Sequence, residues 1–287
     1  MSNDNRKTFE SGMIPNNKEK PLSGRIAAAF EKRRAKGQKT LITFVTAGDP
    51  DIGTTERLVD TMISEGADLV ELGIPYSDPI AEGPVIQAAN ERALAHGIRM
   101  ADVFSLAGRL RTRSEVPLVL LLYVNVIVQY GADRFFGECR QVGIDGVIVP
   151  DLPYEERAEI DADARRHGIA LIRMVSPVSE ERIEMIASGA EGFLYCVSSL
   201  GVTGTRSGFD TDFARFFQTI NRASRIPTAL GFGISNGRQV REVRQWADGV
   251  IVGSAMVRAI AEEQTPEAGI SRCAAFTREL RQALDEE

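Results

Sequence analysis

Two glutamates lie eleven residues apart in the stretch ELGIPYSDPIAEGP, which runs from Glu71 to Pro84 and includes Glu82. Glycines, prolines and an aspartate surround both side chains, and these residue types are typical of a shaped loop. Glu71 ends an apolar run that reads as a strand, where an ionised carboxylate is costly unless it is hydrogen bonded or solvated. We therefore expect a raised pKa for Glu71, suited to general acid and base catalysis.

Two glycine-rich segments late in the chain are candidates for a phosphate site. GFGIS, from Gly231 to Ser235, follows the seventh predicted strand, and VGSAMV, from Val252 to Val257, follows the eighth. Glycines let backbone N–H groups approach an anion, and a short helix beginning near Ser254 would direct its positive N-terminus at the phosphate oxygens. Because α/β barrels bind phosphate after these strands, we favour this interpretation over simple tight turns.

A third glycine-rich segment, SSLGVTGTRSGFD, runs from Ser198 to Asp210 after the sixth predicted strand. It is longer than most connections in compact domains, and such loops often close over a substrate and exclude water. In a closed state Thr203 would hydrogen bond an acid, and Gly204 would reach the phosphate. We interpret the segment as a lid, with an ordinary surface loop as the alternative.

Other polar residues at predicted strand and helix ends have structural interpretations. Asp49 and Asp78 each precede a proline, and Asp151 lies in PDLPYEE, so each is expected to bond neighbouring backbone N–H groups and organise a loop. His96 and His167 each precede a glycine after a helical pattern, which predicts that they cap helix ends.

The sequence lacks the signatures of several other chemistries. It has no Gly-x-Gly-x-x-Gly element, Walker loop, paired histidines or Ser/His/Asp arrangement, and no lysine follows Lys39 to form a Schiff base on the later strands. The cysteines Cys139, Cys196 and Cys273 lack metal-ligand spacing, which favours reduced cytoplasmic thiols over disulfides or a zinc site. Of the catalytic chemistries considered, acid and base catalysis by carboxylates is the one that remains.

Short apolar runs rich in β-branched residues alternate with longer amphipathic segments from Ser23 onward. This alternation predicts parallel strands joined by crossover helices. The strand candidates are TLITFVT, ADLVELG, PLVLLLY, DGVIVP, IALIRMV, GFLYCV, PTALGFG and DGVIVGS. Eight strands, each followed by a helix, favour a single closed (β/α)8 TIM barrel of the α/β class over an open sheet. Its active site is expected at the C-terminal ends of the strands.

An extra N-terminal helix is predicted in SGRIAAAFEKRRAKG, where Ile26 and Phe30 lie one turn apart and would cover the bottom of the barrel. Residues 1–22 are polar, contain acids and lack the apolar core of a signal peptide, so we expect a disordered extension. No linker divides the rest, and residues 23–287 are predicted to form one domain.

The composition is typical of a soluble globular protein, since 43% of the 287 residues are hydrophobic and 26% are charged. A net charge of −6 disfavours a nucleic-acid or anionic membrane surface. No apolar run approaches the roughly 20 residues needed to cross a bilayer. We expect a cytoplasmic protein that binds a small molecule, and neither nucleic acid nor membranes.

Eight motifs, in one order, carry a resemblance to a known family: FVTAGDP, ELGIPYSDP, GPVIQAANERAL, YVN, PDLP, GVTG, GFGIS and GSAMV. From about Ser23 to its end, the chain resembles the α subunit of tryptophan synthase. The resemblance implies a lyase of tryptophan biosynthesis that cleaves indole-3-glycerol phosphate, by retro-aldol chemistry, to indole and glyceraldehyde 3-phosphate. It implies no cofactor in this chain, because the indole ring accepts the electrons once its C3 atom is protonated.

The resemblance also implies roles for particular residues. Glu71 would be the general acid and base, and Glu82 the second catalytic carboxylate, which Thr203 of the lid meets. The residues near the indole ring would be Phe44, Leu121, Ile148 and Tyr195. The phosphate cradle would be formed by Gly204, Gly231, Gly233, Gly253 and Ser254.

The implied partner is a β subunit that uses pyridoxal phosphate and receives indole through an internal tunnel, in an αββα heterotetramer. The loops that contain Asp78 and residues 201–204 resemble those that face this subunit.

Two positions depart from the family pattern. Glu82 replaces an aspartate, and its extra methylene moves the carboxylate by roughly 1.5 Å unless the loop compensates, which can lower the rate about a hundredfold. Val126 replaces a proline in the loop after the third predicted strand. These departures leave open a stand-alone lyase, or a catalytically weak subunit that activates the β subunit allosterically. Another phosphate-binding barrel, such as an isomerase of the same pathway, is disfavoured by the ELGIPYSDP and GVTG segments.

Overall fold

Eight parallel strands form a closed barrel in chain order, and the first strand pairs with both the second and the eighth. The strands of this computed structural model are β1 (Thr40–Thr46), β2 (Leu69–Gly73), β3 (Leu118–Leu121), β4 (Gly146–Ile148), β5 (Ala170–Val175), β6 (Leu194–Val197), β7 (Thr228–Gly231) and β8 (Gly249–Val252). Each lies within one of the eight predicted runs. The predicted (β/α)8 barrel is therefore confirmed.

The structure describes residues 24–177, 180–197, 212–231 and 233–286. Its helices are α1 (Gly24–Arg34), α2 (Ile52–Ser64), α3 (Pro84–Ala95), α4 (Met100–Arg111), α5 (Val124–Tyr130), α6 (Ala132–Val142), α7 (Ala158–Arg166), α8 (Glu180–Ser188), α9 (Phe213–Ala223), α10 (Gly237–Val243), α11 (Ser254–Ala261) and α12 (Pro266–Asp285). None of these described helices has the length and apolar character of a membrane span. The predicted extension, residues 1–22, and the predicted lid lie outside the described residues.

Successive residues of each strand point alternately into the barrel and out toward the helices, so both faces are apolar. In β5, Ala170 and Ile172 belong to an inner cluster that fills the barrel. Leu171 and Val175 belong to the outer cluster that packs between barrel and helices. Burial on both sides explains why the strand candidates are nearly continuous apolar runs.

The N-terminal helix α1 closes one end of the barrel. Ile26 and Phe30 are buried in the inner cluster, and the Phe30 ring lies 5.8 Å from that of Phe193. A Cβ atom at Gly249 would lie 3.0 Å from the carbonyl oxygen of Thr40 and 3.2 Å from the Phe30 ring. Because Thr40 and Gly249 begin β1 and β8, α1 covers the N-terminal end of the strands, as the sequence predicts.

The expectation of a loop after β3 is wrong, because this segment forms helix α5. The N–H group of Val126 donates a hydrogen bond to the carbonyl oxygen of Tyr123 at 3.0 Å, which a proline at this position would lack. The two histidine predictions are confirmed. His96 and His167 are the C-terminal caps of α3 and α7, and their backbone N–H groups donate to carbonyl oxygens of the last helical turn.

A buried carboxylate joins both terminal helices to the strands. Asp68, which is 8% exposed, precedes β2 and accepts hydrogen bonds from Arg33 of α1 at 2.6 Å and Arg281 of α12 at 3.0 Å. It also accepts from the backbone N–H of Leu41 in β1 at 2.9 Å. A buried charge with three donors stabilises the fold mainly because removing it leaves its partners unpaired.

We expect the substitution Asp68→Ala to lower the free energy of unfolding by about 3 kcal/mol, since among the described residues it leaves the buried Arg281 with Asp285 as its one acidic partner. Glu31→Ala is the matched control, because it removes only the exposed partner of Arg34 and should cost less than about 1 kcal/mol. Urea denaturation followed by circular dichroism measures both. Equal losses for the two variants would contradict a structural role for Asp68.

Candidate active site

A cavity of about 670 Å³, its open mouth included, lies at the C-terminal ends of the strands, where barrel enzymes place their chemistry. The lining residues are Phe44, Glu71, Ala81, Glu82, Ile86, Leu121, Pro150, Met174, Tyr195, Gly233, Ile234, Ile251, Gly253 and Ser254. The cavity thus brings the two candidate carboxylates together with much of the predicted indole and phosphate sites.

Glu71 is the third residue of β2 and is 1% exposed. Its strand neighbours Val70 and Leu72 lie in the outer cluster, so alternation places Glu71 on the inner face. Its Oε1 atom is buried without a hydrogen-bond partner among the described residues. Burial raises the pKa of Glu71 to about 8, which confirms the expectation of a raised pKa. The side chain can therefore hold a proton at neutral pH.

The ring of Phe44 lies beside Glu71, because these residues are register partners in the β1–β2 pair. The ring occupies space that a side chain at Gly73 would need, since a Cβ atom there would lie 2.3 Å from the Phe44 Cζ atom. Glycine at the end of β2 thus lets an aromatic wall pack close to the buried acid.

Glu82 lies on the loop between β2 and α3 and is 6% exposed. The Tyr123 hydroxyl donates a hydrogen bond to Glu82 Oε2 at 2.9 Å and accepts one from the N–H of Ala81, also at 2.9 Å. Burial raises the pKa of Glu82, the Tyr123 hydrogen bond lowers it, and the nearby Asp151 charge raises it, with a net upward shift. Tyr123 therefore fixes both the carboxylate and the backbone of its loop.

Helix α3 and its neighbours hold this loop in place. The helix begins after Gly83 with Pro84 in its first turn, and the Gln87 side-chain amide donates to the carbonyl oxygen of Glu82 at 2.8 Å. Farther along α3, Arg92 makes a two-pronged ion pair with Asp49, with both distances 2.8 Å. The loops after β1 and β2 are thereby linked.

The three aspartates predicted to organise loops have different partners. The prediction is wrong for Asp49, whose carboxylate pairs with Arg92 instead of neighbouring N–H groups. Asp78 is exposed and accepts from the hydroxyl of Ser77 at 2.7 Å. Asp151 does accept from a backbone N–H, but that of Val124 at 2.9 Å, in the segment after β3. The partners of Asp49 and Asp151 lie 43 and 27 residues away in sequence, which explains why short-range patterns missed these two pairings.

The predicted apolar site is partly assembled. Phe44, Leu121 and Tyr195 line the cavity. Ile148, in contrast, is fully buried in the inner cluster and is not among the lining residues. Pro150, two residues farther along the chain, reaches the cavity wall instead. Ile148 ends β4, whereas Pro150 lies just beyond the strand and therefore nearer the barrel mouth.

The predicted phosphate site is also partly assembled. Gly233, which has a φ of +83°, Gly253 and Ser254 line the cavity. Helix α11 begins at Ser254, as predicted, and no side chain of the described residues caps its N-terminus, so its first N–H groups are available to an anion. Gly231 does not line the cavity: a Cβ atom there would lie 2.6 Å from the Tyr195 hydroxyl oxygen. Its lack of a side chain makes room for that ring.

The remaining predicted residues, Thr203 and Gly204, lie outside the described residues. Several lining residues were not predicted, including Ile86, Met174, Ile234 and Ile251. Met174 and Ile251 lie at inward positions of β5 and β8, so strand alternation carried a signal for both. In the described part of the chain, no cluster of His, Cys, Asp and Glu side chains could hold a metal ion.

The folded pKa of Glu71 exceeds its ordinary value, so the proton is bound more tightly in the folded protein, and stability should fall as pH rises between about 4.5 and 8. Glu71→Gln removes this dependence. The difference in unfolding free energy between variant and wild type should change by about 1.4 kcal/mol per pH unit in this range.

Urea denaturation at several pH values measures this difference. Thr43→Val is the matched control, because it alters a buried hydroxyl without a partner among the described residues and changes no titratable group. Its stability difference from wild type should be the same at every pH. Parallel curves for wild type and Glu71→Gln would contradict the raised pKa.

Comparisons with known proteins match one family over most of the chain. The family described as Tryptophan synthase alpha chain matches residues 30–285. The Tryptophan synthase alpha chain of Thermoanaerobacter sp. (strain X514) is 44% identical over 260 residues, which cover 91% of this chain and 99% of the relative. That of Geobacter sulfurreducens is also 44% identical, over 261 residues that cover 91% of this chain and 98% of the relative.

Solved structures are similar over the same extent. The crystal structure of tryptophan synthase subunit alpha from Legionella pneumophila has a TM-score of 0.82 at 38% identity and covers 91% of this chain and 98% of its own. A structure of Mycobacterium tuberculosis tryptophan synthase has a TM-score of 0.84 at 31% identity. The match covers 92% of this chain and 100% of the chain in that structure.

Proposed function

The chain belongs to the tryptophan synthase alpha chain family, and from this premise we propose that its cavity cleaves indole-3-glycerol phosphate to indole and glyceraldehyde 3-phosphate. The chain is a lyase subunit of tryptophan biosynthesis. The observation that carries the proposal for the site is the buried Glu71, which keeps its proton to a pH of about 8 within a cavity that also holds Glu82.

Glu71 begins the reaction as an acid. It donates its proton to indole C3, which places a positive charge on the ring. The carboxylate then removes the proton from the glycerol hydroxyl next to the ring as the carbon–carbon bond breaks and the aldehyde forms. The bonding electrons return to the ring, which leaves as indole, and Glu71 regains its proton. Low solvent access favours this cycle, because it keeps the neutral acid populated before substrate binds.

Glu82 stabilises the positive charge on the ring by accepting a hydrogen bond from the indole N–H. The Tyr123 hydroxyl holds Oε2, which leaves Oε1 available to the substrate. The same hydrogen bond fixes the rotamer of a side chain that is one methylene longer than the family aspartate. This hydrogen bond and the burial of Glu82 favour an active lyase over a catalytically weak subunit.

The rest of the substrate would be held by two groups of residues. Phe44, Leu121 and Tyr195 would enclose the indole ring, with Ile148 packed beneath them. The phosphate would lie at the N-terminus of α11, on Gly233, Gly253 and Ser254, with Gly231 behind Tyr195. Thr203 and Gly204 would complete the site from the proposed lid.

The family implies a β subunit as partner, and pyridoxal phosphate belongs to that subunit. We further propose an αββα heterotetramer in the cytoplasm, in which residues 23–287 form one domain that follows a disordered extension. Two large apolar side chains support a docking surface beside the cavity mouth, since Ile80 is 76% exposed and Val128 is 58% exposed. A stand-alone lyase would instead elute as a separate species when mixed with a β subunit on a sizing column.

Steady-state cleavage of indole-3-glycerol phosphate, with and without a β subunit, tests the assignment. Glu71→Gln should lower kcat by about a thousandfold, as expected for loss of the acid and base. Tyr123→Phe should lower kcat about tenfold, since it frees the Glu82 carboxylate. Glu91→Gln, on the exposed side of α3, is the matched control and should keep full activity. The proposal fails if wild type is inert in both conditions while Glu82→Asp is active.

The pH dependence of kcat/KM gives a second test. The reaction needs Glu71 protonated, so activity should fall as pH rises through about 8. It needs Glu82 ionised, so activity should also fall on the acid side. A rate that stays constant from pH 7 to beyond pH 9 would exclude Glu71 as the acid that begins the reaction.

A further inference from the structure

A second cavity lies outside the barrel wall and encloses about 820 Å³, its open side included. We name it the outer pocket. The segment after β4 lines one side with Leu152, Pro153 and Tyr154, and outward side chains of β5 and residues of α8 line the other. The candidate active site lies on the inner side of the same wall. The outer pocket is therefore separate from the phosphate cradle at β7 and β8.

Arg173 is a buried cation in the outer pocket. It is 9% exposed and lies on β5 between the outward residues Leu171 and Val175. One of its nitrogens donates to the carbonyl oxygen of Ile186 at 3.2 Å, which uses one of five guanidinium donors. No carboxylate of the described residues forms an ion pair with it. Burial of an unpaired guanidinium is costly and needs a compensating anion.

Arg157 provides a second positive charge without a direct ion pair among the described residues; one of its terminal nitrogens donates to the carbonyl oxygen of Tyr154 at 2.9 Å. Its guanidinium carbon lies 3.7 Å from the centre of the Tyr154 ring, and that of Arg173 lies 5.2 Å from the same ring. The buried Nε atom of Arg157 has no hydrogen-bond partner among the described residues. The mutual proximity of the two cations contributes to a lowered pKa for Arg173, after burial. Two guanidinium groups thus flank one aromatic ring.

The acids near these two arginines have other partners. Glu155 pairs with Arg182 at 2.7 Å. Glu191 pairs with Arg165 at 2.9 Å, and Asp161 lies 3.5 Å from the same guanidinium. Arg182 faces one of these carboxylates and Arg165 faces the other two. With Arg157 and Arg173, four guanidinium groups face three carboxylates, so the site has a surplus of one positive charge.

We propose that the outer pocket binds a phosphate monoester that carries an apolar or aromatic group. A phosphate would supply the missing negative charge, and the guanidinium donors of Arg157 and Arg173 are well suited to its oxygens. The hydrocarbon part would lie on Leu152, Pro153 and Ile186. Because Pro150 and Met174 line both cavities, the ligand would contact the outer side of residues that also form the substrate pocket.

Methyl NMR on the full chain, labelled at isoleucine, tests this proposal with phenyl phosphate as the probe. The methyl groups of Ile186 report on the outer pocket, and those of Ile86 and Ile251 report on the active-site cavity. A saturable shift of the Ile186 signal is expected. Failure of the proposed active site would appear separately, as unresponsive Ile86 and Ile251 signals.

Arg157→Met and Arg173→Met should each weaken the binding seen at Ile186 by about tenfold or more. Arg238→Met is the matched control, because it removes an exposed arginine of α10 and should leave that binding unchanged. Phenol, which lacks the anion, should not shift Ile186, and inorganic phosphate should bind more weakly than phenyl phosphate. If Arg173→Met does not fold, Arg157→Met decides the question. An unresponsive Ile186 signal, or equal binding by wild type and Arg157→Met, would overturn the proposal.

Discussion

The candidate site depends on one constraint: a carboxyl group must stay out of water at the mouth of a closed barrel. Glu71 satisfies this constraint because β2 lies between β1 and β3, and because packed side chains surround the carboxyl group below the cavity mouth. The Phe44 ring covers it on one side, and α1 closes the opposite end of the barrel. The acid's raised pKa is thus a property of the whole barrel, since an open sheet would expose it.

The second carboxylate is held in a different way. Glu82 belongs to a loop, so its position depends on hydrogen bonds rather than on strand geometry. Tyr123 reaches it from the end of β3, and the pairing of Asp49 with Arg92 ties the adjoining loop to α3. A longer acid can be tolerated here because its partner is a long, rigid phenol whose ring stacks on Tyr76 at 4.8 Å.

The sequence predicts those features that follow from local periodicity. The eight strands, the covering helix α1 and the start of α11 at Ser254 are visible as apolar spacing and glycine placement. What it missed depends on pairings across the fold. Asp49 meets Arg92, and Tyr123 meets Glu82, over more than forty residues of chain. The depth of Ile148 depends on how the strands tilt in the closed barrel, which no single run encodes.

Strand β5 illustrates how one short run can serve two kinds of chemistry. Its residues alternate across the barrel wall, so Met174 faces the cavity that holds the acids while Arg173 faces the outer pocket. Apolar neighbours on both sides keep water from either group, and low dielectric strengthens the field of each. A neutral, proton-holding carboxyl on the inside and unpaired cations on the outside can therefore coexist, because a layer of packed side chains separates them.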